Sequence, residues 1–486
     1  MRKVTIDPIT RLEGHGKIDI FLDDDGNVAD AYLQIPELRG FEKFCQGRPV
    51  EEMPRITSRI CGVCPEAHLL ASAKAGDAVY GMELPRTARM LRELLYMIFY
   101  VTDHATHFYA LGGPDFVVGP DAPKAQRNIL GVIHKVGIEV GSKVIGMRGL
   151  CHELIKKMAG KAVHPVGALP GGMSKGLTAA DRLEILEAGK QAVEFGQFTI
   201  QVFNDIVLKN QGYVDLILSD MFSHRTYNMG LVDAQNRSNF YDGLIRVTDP
   251  DGKELVKFAA EDYLDHIEER VEPWSYLKFP YLKNIGWKGF VDGADSGIYK
   301  ATPLSRCNVA DGMATPLAHA EYEKMYDTLG GKPVHATLAT HWARIIELLY
   351  AAERWVELAE DPEIAGPEYR IQPTQTPTEG VGVVEAPRGT LYHHYKTDEK
   401  GLITEANLIV GTTNNNAAIN MSVKKAAMGL IKNGVVDDAL LNQVEMAFRA
   451  YDPCFGCATH TLPGQMPMIL NIFNRRRELL ETLRRD

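Results

Sequence analysis

The stretch "RICGVCPEAH", Arg59 to His68, decides how this chain is read, because two thiols stand three residues apart with Glu66 and His68 close behind. The same thiol spacing returns near the other end, in "YDPCFGCATH" from Tyr451 to His460. A Cys-x-x-Cys pair turns both sulfurs to one side, so two pairs can offer four thiolates to one soft ion: zinc, nickel or an iron–sulfur cluster. On spacing alone, a closed structural zinc site competes with a cage for a metal that does chemistry. Three features weigh against zinc. Zinc ribbons close short local loops, whereas nearly the whole chain separates these pairs. Neither pair is followed by the glycine that lets a zinc knuckle turn; Pro65 and Ala458 stand there instead. Each pair also has a histidine and a carboxylate alongside, Glu66 at one and Asp452 at the other, groups that suit proton traffic and that a closed site does not need.

Working outward, the 486 residues are enough for one large domain or two to three smaller ones. Apolar residues make up 45% and charged residues 24%, the balance of a globular chain. The net charge of −10 argues against nucleic acid or an acidic membrane surface as the main partner. No apolar run approaches the roughly 18–20 residues of a membrane span. The opening "MRKVTIDPITRLEGHGKI" lacks the apolar core of a secretory signal and alternates like a strand. Seven cysteines, odd in number and sparse, do not suggest a disulfide framework, and a reducing compartment is expected.

"KIDIFLDDDGNVADAYLQI" (Lys17 to Ile35) alternates, turns at Asp-Asp-Gly-Asn and alternates again, which predicts a β-hairpin. The first thiol pair opens an Ala-rich helix near Ala67 to Tyr80. From Arg86 to Leu111 apolar residues recur at helical spacing (Leu91, Leu95, Ile98, Val101), predicting one long helix. Similar patterns predict helices at about 125–160, 180–210, 335–360, 416–432 and 437–450. The span of about 220–310 is mixed, Gly366 to Gly382 reads as a loop, and strands return after it. The expected fold is mainly α with small β-sheets (α+β): a central bundle of long helices, an N-terminal hairpin and no flexible linker.

With these residues assembled, the chain resembles the large subunit of the nickel–iron hydrogenases. The resemblance is carried by "RICGVCPEAH", "DPCFGCATH", "PITRLEGH" near the start, "LRGFE" at 38–42, "TDHATHFY" at 102–109, "HPVGALPGG" at 164–172 and "APRG" at 386–389, in the family's order. It implies that Cys61, Cys64, Cys454 and Cys457 hold nickel, with Cys64 and Cys457 also bridging to an iron that carries CO and cyanide. Such a pair leaves an open position where H2 is polarised and split heterolytically, its proton passing to a nearby base.

The family match assigns the remaining roles. Glu13 of "RLEGH" corresponds to a proton-relay glutamate; without the motif it would read as a surface acid. Asp103, Arg388 and Asp452 correspond to a canopy over the open metal position, where a guanidinium between two carboxylates is expected to lower their pKa values and order water. Thr412 of "VGTTNNN" corresponds to a hydroxyl that bonds a cyanide ligand, although from the residues alone it is equally a helix N-cap. His68 is either a core histidine or, by the match, a hydrogen-bond partner of a bridging cysteine. Glu42, the Leu408 carbonyl and His460 correspond to ligands of a separate Mg2+. Cys45, Cys151 and Cys307 are scattered singly and are assigned to the core.

After His460 the chain continues with "TLPGQMPMILNIFNRRRELLETLRRD", which reads as a helix-like, Arg-rich segment. The resemblance implies a precursor: residues 1–460 form a single hydrogenase domain, and 461–486 are an extension removed by a dedicated endopeptidase once nickel is loaded. The quinone-site subunit of respiratory complex I shares the family's fold but lacks the nickel cysteines. The implied partners are an iron–sulfur small subunit, docked on the face carrying the first thiol pair, and further electron-transfer subunits. "DPCFGCATHTLPGQMP" and the brief N-terminus are most similar to cytoplasmic members, the F420-non-reducing (viologen-reducing) enzymes that feed a heterodisulfide reductase-like acceptor. NAD(P)-linked bidirectional hydrogenases are the alternative.

Overall fold

The computed structural model describes residues 2–458, 468–473 and 479–485. The N-terminal segment forms a three-stranded antiparallel sheet of β1 (Arg2–Ile6), β2 (Lys17–Leu22) and β3 (Val28–Gln34), with β2 in the middle. The expected hairpin is therefore present, and β1 joins its free edge. On β2, Ile18, Ile20 and Leu22 are fully buried, while the intervening Asp19 is held by Thr5 and Lys3.

Helix α1 (Pro65–Val79) starts on the residue after Cys64, with Pro65 at the first helical position, where its missing N–H costs nothing. Helix α2 (Arg86–Thr106) is buried on nearly every face, as befits a helix at the centre of a bundle. It packs against α3 (Ile138–Ala159) and α5 (Thr340–Glu360), and α5 also lies along α4 (Ala179–Phe203). Arg92 of α2 ties the bundle to α1 by binding both carboxylate oxygens of Asp77.

The long helix expected to reach Leu111 departs from α geometry at His107 and widens into a π-type turn through Gly112. Thr106 Oγ1 donates back to the Thr102 carbonyl just before this change, and such back-bonding bends helices. Wide turns of this kind cluster at functional sites. The helical pattern at 125–160 is split into Ile129–Val136 and α3 by Gly137, whose φ of 93° no continuing helix accepts. The mixed span after 220 carries a four-stranded sheet made from Tyr227–Val232, Leu244–Thr248, Glu254–Phe258 and Tyr299–Lys300.

A second antiparallel sheet, β4 (Glu379–Ala386), β5 (Gly389–Thr397) and β6 (Ile403–Ile409), lies on α1. Two glycines make that approach possible. A methyl group on Gly382 would stand 2.1 Å from the Ala71 carbonyl oxygen, and one on Gly380 would stand 2.3 Å from the Val79 nitrogen. The tight β4–β5 connection carries Arg388 inward. Helices α6 (Asn416–Leu430) and α7 (Asp438–Arg449) pack together and lead into the second thiol pair.

The helix expected after His460 is not what forms. The described part of that segment is two antiparallel strands, β7 (Met468–Phe473) and β8 (Leu479–Arg485), paired with each other. Ile469, Ile472 and Phe473 favour extended backbone, and this preference outweighs the helical look of the Arg/Glu spacing. Among the described residues, no helix is long and apolar enough to cross a membrane.

Candidate metal centre

The first thiol pair is held by regular structure. Cys64 is the N-cap of α1, and its amide and that of Val63 both donate to the Cys61 sulfur at 3.2 Å. In the second pair Cys457 lies in a single turn, Phe455–Ala458, and Cys454 just before it, and their place is set by the chain's start: the Phe455 amide donates to the Glu13 carbonyl at 3.0 Å. Asp452, just upstream, takes a left-handed φ of 53°, a conformation Asp tolerates better than most residues. Arg39 closes the clasp, its Nη1 donating to the Ile60 and Gly456 carbonyls at 2.6 Å each.

The four sulfurs meet. Cys61 lies 3.2 Å from Cys454, Cys64 lies 3.5 Å from Cys457, and Cys454 lies 3.1 Å from Cys457. All four lie within 4.8 Å of one another, and none of the residues is more than 4% exposed. Burial would push the Cys61 thiol up, but hydrogen bonds from the other three thiols and the Arg388 charge pull it well below its ordinary value. Hydrogen bonds from Cys454 and Cys457 favour the Cys64 thiolate, yet neighbouring Cys61 and burial outweigh them and its pKa stands at about 11. Burial and the neighbouring thiols raise Cys454 and Cys457. Four buried sulfurs this close repel one another as thiolates, so all four can ionise only around a cation. The donor set fits a soft transition metal.

Every described residue assigned from the sequence to the thiol centre reaches this place. Glu13 Oε2 accepts from the Cys454 sulfur at 2.9 Å and from the Gly456 amide at 2.8 Å. A methyl added at Gly456 would stand 2.5 Å from Glu13 Oε1, so the carboxylate would have to shift from the Cys454 sulfur to admit it. Arg388 bridges the canopy, with Nη1 3.1 Å from Asp103 Oδ2 and Nη2 2.8 Å from Asp452 Oδ2. The expected lowering is not found at Asp452. Burial pushes Asp452 up to about 7, and Arg388 and Arg344 only partly offset it. Thr412 does not cap α6; its Oγ1 accepts from the Cys454 amide at 3.0 Å. His68 Nε2 stands 3.5 Å from the Cys457 sulfur.

Of the three residues assigned to Mg2+, the structure brings two together. Lys278 Nζ donates to the Leu408 carbonyl at 3.3 Å and lies 3.8 Å from Glu42 and 2.8 Å from Glu269. His460 lies outside the described residues. Cys45, Cys151 and Cys307 are buried single thiols, as expected.

Sequence reasoning missed several neighbours. Arg39, in the quoted "LRGFE", went unremarked because its partners are carbonyls, which leave no mark on sequence. His107 Nε2 lies 3.8 Å from Asp452, and Arg344 is a fully buried guanidinium on α5 that donates to the Ala450 carbonyl. Lys278 and His393 were likewise unforeseen. The one available signal was "YHHY" on β5, two adjacent histidines between tyrosines, all four of them buried. A cavity of about 140 Å3, lined by Gly62, Val63, Glu66, Thr102, Asp103 and Arg148 among others, abuts both the first thiol turn and the canopy.

A family model described as nickel-dependent hydrogenase matches residues 39–135 and 144–460, and one described as HoxL-like matches residues 3–38. The chain is 51% identical over 485 residues to an iron–sulfur subunit of the F420-non-reducing hydrogenase of Archaeoglobus profundus, covering 100% of both. It is 39% identical over 495 residues to the beta chain of the NAD-reducing hydrogenase HoxS of Cupriavidus necator, covering 99% of each. Among solved structures, an NAD+-reducing nickel–iron hydrogenase in the H2-reduced state superposes with a TM-score of 0.88 at 39% identity, covering 95% of this chain and 100% of that one.

Proposed function

The chain belongs to the nickel-dependent hydrogenase family, and on that premise we propose that it is the catalytic large subunit of an F420-non-reducing type enzyme that splits H2 into protons and electrons. The observation that carries this reading is the meeting of four buried sulfurs beneath the Arg388–Asp103–Asp452 canopy. The four cysteines would hold nickel, with Cys64 and Cys457 shared with an iron bearing CO and cyanide. When bound, these metals supply the Lewis acidity that polarises H2.

The chain's own groups then have defined work. Glu13 takes up a proton at the Cys454 sulfur, 2.9 Å from its Oε2, and is the first station of the exit. Arg388 fixes two carboxylates beside the open position and presents positive charge to it. Thr412 accepts from the Cys454 amide, which leaves its hydroxyl proton to offer a cyanide nitrogen. Glu42 and the Leu408 carbonyl, with His460, would supply ligands to Mg2+, and the Lys278 ammonium that contacts both would have to turn wholly to Glu269.

Electrons leave through a partner. Cys45, Cys151 and Cys307 are isolated, so the chain offers no second thiol set among its described residues. An iron–sulfur small subunit fits the face around the first thiol turn. There Val63 and Val163 are exposed beside the same cavity, and Ile145 stands one turn from Arg148 on α3. Further electron-transfer subunits complete the assembly. Cytoplasmic placement is supported by the higher identity to the relatives named for F420 and NAD chemistry, 39–51%, than to a periplasmic hydrogenase of Desulfomicrobium baculatum, 26%. An NAD-linked enzyme is the second reading, favoured by the 0.88 superposition. We read residues 1–460 as the mature domain, because the family match stops at 460, and 461–486 as removed by an endopeptidase.

The deciding experiment is metal analysis and H2-dependent viologen reduction on the purified native complex, with mass spectrometry of this chain. Nickel and iron together, viologen reduction and a mature terminus at His460 are expected. Stoichiometric zinc alone overturns the metal assignment, and an intact Asp486 in active enzyme overturns the processing.

A further inference from the structure

The cage is connected to a second feature that no relay or ligand role accounts for. Helix α1 and strand β5 pack face to face, and each contributes two buried polar side chains to the seam. On the helix these are His68 and Ser72, four residues apart and so on one face. On the strand they are His393 and Tyr395, two apart and so also on one face. The two periods interleave into a single file. Ser72 Oγ lies 2.8 Å from Tyr395 Oη, which lies 2.6 Å from His393 Nδ1. His393 Nε2 lies 3.1 Å from His68 Nδ1, and His68 Nε2 faces the Cys457 sulfur at 3.5 Å.

A metal-bound thiolate can only accept a hydrogen bond, and this end of the file fixes the polarity of every link behind it. His68 must carry its proton on Nε2, which makes Nδ1 an acceptor in the neutral ring. His393 must then donate from Nε2 and accept at Nδ1. Tyr395 Oη must donate to that nitrogen, and Ser72 donates to Tyr395. The opposite polarity would need a charged imidazole in a fully buried seam, at a large desolvation cost.

We propose that His393 and Tyr395 are positioning residues for the centre, holding His68 in the tautomer that aims its N–H at the bridging sulfur of Cys457. The inference rests on the nickel–iron reading above. Its physical effect is on electron density: a hydrogen bond to sulfur withdraws charge from the thiolate, and losing it makes the sulfur a stronger donor to both metals. A CO ligand on the iron reports this directly, because more electron density on iron weakens the C–O bond and lowers its infrared stretching frequency.

The test is infrared spectroscopy of the purified complex carrying His393→Phe, Tyr395→Phe or His393→Gln, alongside metal content. In His393→Phe the CO band should move to lower frequency with nickel and iron retained. Tyr395→Phe should move it in the same direction by less. His393→Gln, whose amide can still donate to His68 Nδ1, should return the band toward the wild-type position, which simple repacking would not do. An unmoved band in metal-loaded His393→Phe overturns the proposal. Should that variant not load metal, Tyr395→Phe decides by the same band: a downward shift supports the proposal and an unmoved band overturns it. Absence of a CO band in the wild-type complex would instead overturn the nickel–iron reading on which this inference stands.

Discussion

The two halves of the thiol cage are built differently. Cys61 and Cys64 sit at the start of a fifteen-residue helix, and two backbone amides already point at the Cys61 sulfur. Cys454 and Cys457 sit just before and within a four-residue turn held by side chains and backbone from elsewhere: the Glu13 segment, Thr412 and Arg39. The first half follows from local structure, while the second exists only when distant parts of the chain have arrived. Rigidity on one side and assembly on the other is what a site needs if metal must enter before the cage closes.

Three substitutions probe that contrast. Cys457→Ser removes the sulfur that would be shared by both metals and should abolish H2-dependent viologen reduction; wild-type activity would break the assignment. Arg388→Lys keeps a charge but loses the fork that spans Asp103 and Asp452, so metals should stay bound while turnover falls about 100- to 1,000-fold, the loss typical of a preorganised donor. Retained turnover would detach the canopy from catalysis. Thr412→Val strips the acceptor from the buried Cys454 amide, a cost of about 1–3 kcal/mol. In metal-free protein it should speed hydrogen exchange around 452–458 and leave α1 unchanged; equal loosening of both halves would show that they do not differ in the way described.

The four thiols of the candidate metal centre were legible because metal-binding chemistry demands a local spacing. The long helices were legible because burial imposes a period, although that period is blind to a change of turn width, as at His107, and to a break at Gly137. Asp103 and Arg388 carry no spacing that links them; only the resemblance to a family paired them, and the 3.1 Å contact joins residues 285 positions apart. The same holds for Arg39, Lys278, Arg344 and His393, whose partners lie across the fold. The terminal strands were misread because charged residues at helical spacing masked a run of β-formers. The pKa of Asp452 was misjudged because the sequence displays its Arg388 partner through the motif but not the depth of its burial.

The contact between Glu13 and Cys454, 441 positions apart, also sets a timetable. A chain still on the ribosome owns at most two of the four sulfurs until Cys454 and Cys457 emerge, so any ion it meets earlier finds only two of the four donors. Lengthening an already long loop costs little more in closure entropy, about 0.6 kcal/mol per doubling. Nature can therefore postpone metal choice to the end of synthesis at almost no thermodynamic cost, leaving a window in which a wrong ion can still fall out.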